Sequence, residues 1–494
     1  MNAPVRRVAI AVMVLFGLLI ANANYVQVIN ADALRNDPSN LRPLLSEYQR
    51  QRGEIVVDGR AIASSRATDD RLRYLRQYPG GPAYGTLTGF YSLIYGKSGL
   101  EQAEAPILSG EDPRLFTSRL TDLFTGRDPR GGSVVLTINA HAQQVAYQSM
   151  AGHRGAVVAL DPSTGAILAM VSTPSYDPTV LSGHDPKKIS AAYQKLITDP
   201  ASPVLNRAVN QNYPPGSVFK VIVAAAALGT GSYHPETQIP APDSLPLSTS
   251  TPATTTRSLH NFDGESCAGG GPDTLIHALT ISCNTAFGQL ANTLGEDAIR
   301  QQAEAFGLTG EASAVPLPVS ASTIGEVPDE PALKLTGIGQ MNVKMTPLQG
   351  AMIAAVVANR GTLAQPYLVS QVRAPDLTVV GGTTQGDERR VLSSDVADQL
   401  GTMMASVVQN GTGTLAQIPG YTVGGKTGTA DNAPGKPPHA WFVGYAMQDS
   451  APKVAVAVLI ENGGVAGNET TGGRAAAPIA RDVMKAVLGI QGGG

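Results

Sequence analysis

Ser217 and Lys220 stand three residues apart in Pro214-Pro215-Gly216-Ser217-Val218-Phe219-Lys220. On a helix that spacing puts a hydroxyl and an amine on one face. The two prolines and the glycine mark a sharp turn into the first helical residues. The run from Val221 to Leu228 is apolar on every side, which predicts a helix buried in a large domain. A lysine at the mouth of such a helix must be paired, functional, or able to shed its proton. Beside a neutral amine a serine hydroxyl is activated, and that is the arrangement acyl transfer needs. Ser-x-x-Lys is also met at ordinary helix starts with a snorkelling lysine, so its partners decide. Ser282-Cys283-Asn284 lies in a polar break between two helical patterns, where the hydroxyl can relay a proton and the amide can hold a peptide carbonyl. Ser-x-Asn is a common helix cap as well. Lys426-Thr427-Gly428-Thr429 is the stronger partner. Its small residues let a substrate backbone lie along a strand edge, with the lysine and hydroxyls toward an anionic group.

Gly420 to Thr427 also satisfies the phosphate-loop pattern Gly-x-x-x-x-Gly-Lys-Thr. That loop requires a helix beginning at its Lys-Thr. Gly428, Pro434, Gly435, Pro437 and Pro438 follow instead, and they cannot make one. The phosphate-loop reading is rejected.

The elements that must position these residues can be placed by periodicity. A strand is predicted at 134–138 and a helix at 140–151. Two apolar runs, 155–162 and 166–171, flank Ser163-Thr164-Gly165 and read as a hairpin opening an antiparallel sheet. Helices are expected at about 273–281, 285–294, 297–306, 346–360 and 394–409, a strand at 453–461 and a closing helix at 473–488. Strands, then many helices, then strands and a last helix describe an α+β layered domain. Stretches 235–257 and 311–331, rich in Pro, Ser and Thr, read as surface excursions within it. Upstream, residues 31–133 are more charged and turn-rich, with a short strand pair from Arg52 to Ser65 and a turn at 78–82. No catalytic constellation is visible there, and a spacer or docking module is the plain reading.

The 494 residues are 43% hydrophobic, enough for two domains with real cores. A net charge of −3 and the lack of a long basic run argue against a nucleic-acid partner. Seven scattered histidines and two cysteines without metal-ligand spacing argue against a zinc site. Arg6 and Arg7 precede an apolar run, Val8 to Ala21, that continues less cleanly to Ile29. The flanking charge puts the first residues in the cytoplasm and the rest outside. The strictly apolar part resembles a signal-peptide core, with a small-x-small site at Ala21-Asn22-Ala23. The extension to Ile29 brings it to spanning length, and a retained anchor is preferred over a cleaved signal. An exported chain with two thiols meets an oxidising compartment, where pairing is the default. A Cys267–Cys283 bridge would close a loop of about 16 residues and tether Ser282 and Asn284. The alternatives are a small buried Cys283 with an unrelated exposed Cys267, or a bridge that strains the site and is broken in the active protein.

Ser-x-x-Lys, Ser-x-Asn and Lys-Thr-Gly-Thr occur in that order, and together they resemble penicillin-binding proteins and serine β-lactamases. Gly155 to Pro178, around Leu160-Asp161-Pro162-Ser163-Thr164-Gly165-Ala166-Ile167-Leu168-Ala169-Met170, resembles the opening of a class B transpeptidase domain. Gly339-Gln340, Thr346-Pro347-Leu348-Gln349 and the stretch from His439 to Tyr445 are similar to the family at their expected places. The N-terminal part and the segment from Tyr84 to Glu101 are most similar to the actinobacterial penicillin-binding protein A type.

The resemblance implies an α+β fold: an antiparallel sheet flanked by helices in a transpeptidase domain at 134–494, a small α/β spacer domain at 31–133, and a membrane anchor at 1–30. It implies a peptidoglycan D,D-transpeptidase of wall synthesis and division, blocked covalently by β-lactams, with no cofactor and no metal. Ser217 would attack the penultimate D-alanyl carbonyl of a stem peptide, with Lys220 as base. Ser282 would relay the proton to the leaving D-alanine, and Asn284 would hold the peptide amide. Lys426 would favour a neutral Lys220 and draw in the terminal carboxylate, with Thr427 and Thr429 donating to it. A side chain at Gly428 would crowd the substrate, and the Ser217 and Thr429 N–H groups would form the oxyanion hole. The implied partners are stem peptides, β-lactams, the membrane, and divisome or glycosyltransferase proteins. A β-lactamase shares the three stations but needs a water-activating carboxylate or carbamylated lysine, for which no matching motif is visible. A D,D-carboxypeptidase differs only in acceptor. A non-catalytic receptor or division scaffold on the same fold is opposed by the intact polar set.

Overall fold

The computed structural model describes residues 3–30, 45, 47–126, 128, 130–248, 257–432, 435–463 and 472–490. Its central sheet has five strands in the order Thr422–Ala430, His439–Gln448, Ala451–Ile460, Gly155–Leu160 and Ile167–Thr173. Each neighbouring pair is antiparallel. Alternate side chains leave a strand on opposite faces, and here both faces are covered. Val157, Ala159, Val171, Val456 and Val458 pack with Ala142 and Ala146 of helix Ala140–Ser149 and with Ala480, Val483 and Met484 of helix Ala477–Val487. Ala156, Val158, Met170, Ala457 and Leu459 belong to the other core, with helices Lys220–Gly229 and Pro347–Ala358. Burial on two faces is why Gly155–Leu160 reads as one unbroken apolar run.

The predicted hairpin forms across this sheet. Helices Leu275–Thr280, Asn284–Leu294, Glu296–Phe306, Pro347–Ala358 and Ser394–Asn410 lie where the periodicity puts them. Their starts are fixed by local chemistry: the Thr274, Thr346 and Ser393 side chains accept from His277 N, Gln349 N and Val396 N. The closing helix is expected from 473. Instead, a wider π turn, Gly472–Ala476, precedes helix Ala477–Val487. The excursion at 235–257 contains strands Gln238–Pro240 and Ser244–Pro246, the second paired with Ser258–His260; its residues 249–256 lie outside the described ones. The excursion at 311–331 carries the short pair Ser313–Ala314 and Pro318–Val319.

A second sheet has six strands in the order Val379–Gly381, Val369–Arg373, Ser133–Leu136, Ile55–Val57, Arg60–Ala67 and Tyr74–Gln77. Ile55–Val57 and Arg60–Ala67 form the predicted strand pair. Ser133–Leu136 runs parallel to Ile55–Val57 and antiparallel to Val369–Arg373, so strands from far downstream complete the N-terminal sheet. Beside it, the buried Glu101 carboxylate accepts from Arg52 Nε at 2.6 Å, Arg76 Nε at 2.7 Å and the Tyr78 hydroxyl at 3.2 Å. Burial alone would push this carboxyl up, but the Arg76 and Arg52 guanidiniums outweigh it and hold Glu101 below the usual range.

At the N-terminus, helix Ala3–Asn24 continues as the π turn Tyr25–Ile29. This 27-residue stretch has a mean hydropathy of 2.0 over its most apolar window, with none of that window buried against the rest of the protein. It is long and apolar enough to cross a membrane.

Candidate active site

The turn that carries Ser217 is held from three sides. Tyr213 and Met345 exchange both backbone hydrogen bonds at 2.9 Å, Trp441 Nε1 donates to Pro214 O at 3.0 Å, and Gly216 N donates to Gly339 O at 3.1 Å. Gly216 has a φ of +54°, and a Cβ there would stand 2.3 Å from Thr429 O. Glycine therefore lets the turn lie directly against the edge strand. The sequence predicts one α-helix through Ser217 and Lys220. The structure has a 3₁₀ turn, Gly216–Phe219, and the α-helix begins only at Lys220. The shared face survives this correction, because residues three apart eclipse each other in a 3₁₀ turn. Behind the turn, the buried Tyr213 hydroxyl donates to Glu461 Oε1 at 2.6 Å, and burial together with that carboxylate pushes the phenol well up. Burial also pushes the neighbouring His439 down, consistent with a neutral ring that accepts from Asn462 N at 3.2 Å.

Ser282 ends the polar break with a φ of +65°, a conformation sparsely used by non-glycine residues and retained where surroundings impose it. Helix Asn284–Leu294 starts immediately after Cys283. Lys220, with no exposed surface, donates from Nζ to Ser282 O at 2.7 Å, Asn284 Oδ1 at 2.7 Å and Ser282 Oγ at 3.2 Å. Lys426, equally buried, donates to the same Ser282 Oγ at 2.8 Å and to Thr427 O at 3.0 Å. The Phe287 ring lies under Lys220, 5.8 Å from Nζ to its centroid. Three segments more than sixty residues apart in the chain thus meet at one hydroxyl.

Thr422–Ala430 is the outermost strand of the central sheet, paired on one side with His439–Gln448. Lys426 and Thr427 lie within it, so the helix that a phosphate loop requires is replaced by a strand. Thr427 Oγ1 is 2.6 Å from Thr412 Oγ1. Gly428 pairs with Trp441 in unbroken register, so there is no bulge. The crowding expected at Gly428 falls on the protein: a Cβ would stand 2.7 Å from Pro215 O and 2.9 Å from Val218 Cγ2. Cys267 and Cys283 form a disulfide, with Cα atoms 6.2 Å apart. The sequence reading missed Asn261, Thr412 and the supporting role of Trp441. Their partners are 15 or more residues away, and no spacing marks them.

The profile of the penicillin binding protein transpeptidase domain matches residues 155–485, which include all three stations. The chain belongs to this family. A second profile, the penicillin binding protein A dimerisation domain, matches residues 52–134. The peptidoglycan D,D-transpeptidase PbpA of Mycolicibacterium smegmatis is 48% identical over 496 residues, and that of Mycobacterium tuberculosis is 48% identical over 500 residues. Each comparison covers 99% of both chains. Among solved family members, penicillin-binding protein A from M. tuberculosis as its ceftriaxone acyl-enzyme complex superposes with a TM-score of 0.85 at 47% identity, covering 90% of this chain and 100% of that one. Its penicillin G acyl-enzyme complex gives 0.83 at 46% identity, covering 89% and 100%.

Proposed function

We propose that this protein is a peptidoglycan D,D-transpeptidase that works through an acyl-enzyme on Ser217 and is blocked covalently by β-lactams. The observation that carries the reading is the convergence of two buried lysines, Lys220 and Lys426, on the Ser282 hydroxyl. Two ammonium groups sharing one hydroxyl disfavour the doubly charged state; with Lys220 the neutral member, its two hydrogens stay on Ser282 O and Asn284 Oδ1 and its lone pair is left to take a proton. Lys220 then takes the Ser217 proton as Oγ attacks the penultimate D-alanyl carbonyl. Ser282, bonded to both amines, passes a proton to the departing D-alanine. Asn284 holds the stem-peptide amide. Lys426, Thr427 and Thr429 receive the terminal carboxylate along the edge strand, with Gly428 keeping the strand tight against the turn. The backbone N–H groups of Ser217 and Thr429 stabilise the oxyanion, each by roughly 3 kcal/mol. An amine from a second stem peptide takes the acyl group and completes the crosslink.

Residues 1–30 act as a single-pass anchor, 31–133 as the spacer or docking unit, and 134–494 as the transpeptidase unit outside the cytoplasm, working with divisome or glycosyltransferase partners. Incubation with a penicillin is expected to raise the intact mass by one penicillin, and Ser217→Ala is expected to abolish the gain. Turnover of the drug within seconds, with no adduct, would replace this reading with a β-lactamase.

A further inference from the structure

The first residue of helix Asn284–Leu294 is also the acceptor for Lys220, so the start of this helix sets the geometry of the amine. A helix start leaves its first N–H groups without intrahelical partners. Cys283, at the capping position, makes no side-chain cap, and its sulfur is committed to the bridge. The acceptor comes from another part of the chain. Asn261 Oδ1 accepts from Asn284 N at 2.9 Å, Thr285 N at 3.0 Å and Thr285 Oγ1 at 3.2 Å. Its neighbour supplies His260 O, which accepts from Asn284 Nδ2 at 3.3 Å. Asn284 is therefore held at its backbone and at its side-chain amide by residues 260 and 261, while its Oδ1 faces Lys220 Nζ at 2.7 Å.

We propose that Asn261 is a positioning residue for acyl transfer, a neutral cap in trans that fixes Asn284 and, through it, Lys220. An aspartate caps a helix at least as well, and its charge suits the positive end of the helix dipole. Asn261 is only 7% exposed, and its Nδ2 finds no hydrogen-bond partner among the described residues. The amide nitrogen thus adds nothing to the cap, and neutrality is what distinguishes asparagine from aspartate here. A carboxylate one contact removed from Lys220 would favour the charged ammonium and work against its use as a base. Among the described residues, Lys426 faces Lys220 across the Ser282 hydroxyl and is charged, while Ser282, Asn284 and the Phe287 ring are uncharged. Beside Asn261 in the chain the titratable residues are His260 and Glu265, whose side chains are exposed, and Asp263.

This inference rests on Ser217 as nucleophile and Lys220 as its base. The test is the rate constant for acylation of the full chain by a penicillin, measured between about pH 5 and pH 9 in parallel with thermal melting. Asn261→Ala is expected to acylate at least about tenfold more slowly than the wild type once the folded fraction is accounted for. Asn261→Asp is expected to melt like the wild type but to reach its full rate about one pH unit higher, making it about tenfold slower on the acid limb of the profile and restored in alkali. Wild-type rates in Asn261→Ala would overturn the proposal, as would an Asn261→Asp profile that overlays the wild type. Should Asn261→Ala fail to fold, the aspartate variant decides alone. Failure of the wild-type protein to form any adduct at Ser217 would instead remove the acyl-enzyme reading, and this inference with it, before any variant is compared.

Discussion

A methyl group added at Gly428 would stand 2.7 Å from Pro215 O, 2.9 Å from Val218 Cγ2 and 3.1 Å from Trp441 Cβ. Two of these atoms belong to the turn that carries Ser217, and that turn is itself pinned by Gly339, Met345 and Trp441. The strand cannot absorb the clash by bulging without breaking its register with His439–Gln448. Gly428→Ala is therefore expected to cost about 1–3 kcal/mol of stability through overpacking. The acylation rate is expected to fall about 100-fold, because the hydroxyl moves relative to Lys220 and the edge strand. Thermal melting and fluorescent-penicillin labelling read the two effects separately. A variant that acylates at the wild-type rate would show that the turn and strand have slack.

At the scale of elements, the bridge, the 3₁₀ turn and the edge strand do different jobs. The sequence reading expects the Cys267–Cys283 bridge to bear mainly on Ser282 and Asn284. In the structure those residues are also held by Lys220, Lys426, Asn261 and His260 O, none of which needs the sulfur. The remaining load on the bridge is the loop it closes, whose chain entropy corresponds to about 3 kcal/mol. Replacing both cysteines by serine is accordingly expected to lower the melting temperature while leaving acylation within about threefold of the wild type. A large loss of acylation at unchanged melting temperature would return the bridge to a role in positioning the site.

For the whole molecule, the proposed boundary at 133/134 falls within Ser133–Leu136, an interior strand of the N-terminal sheet. Val369–Arg373 and Val379–Gly381 return from the far side of the chain to complete it. The N-terminal unit is thereby built into the catalytic one rather than hung from it. In the proposed topology, Arg6 and Arg7 on the first turns of the apolar helix Ala3–Asn24 stay in the cytoplasm and both units lie outside. Alkaline phosphatase fused after residue 60 is expected to be active, and the full chain is expected to resist carbonate extraction. An inactive fusion would reverse the topology, and a mature N-terminus at Asn24 would turn the anchor into a cleaved signal.

Local chemistry made much of this legible in the amino-acid order. Apolar periodicity located the helices around 275–306, 347–358 and 394–410, and turn residues located the hairpin at 155–173, because both depend on neighbours a few positions away. The three polar stations were readable for the same reason: each is a short spacing of residue types. What the sequence could not fix was the meeting of Lys220, Ser282 and Lys426 at one hydroxyl, which follows from the strand order that places Thr422–Ala430 at the edge beside Gly216. The contacts around the 3₁₀ start of the nucleophile helix are likewise long-range: Gly216 N donates to Gly339 O, and the glycine packs against Thr429 O. Asn261 shows the limit most plainly: in the chain it is one polar residue beside a Ser- and Thr-rich excursion. Only tertiary folding turns its carboxamide toward a helix start 23 residues away, where unsatisfied N–H groups need an acceptor.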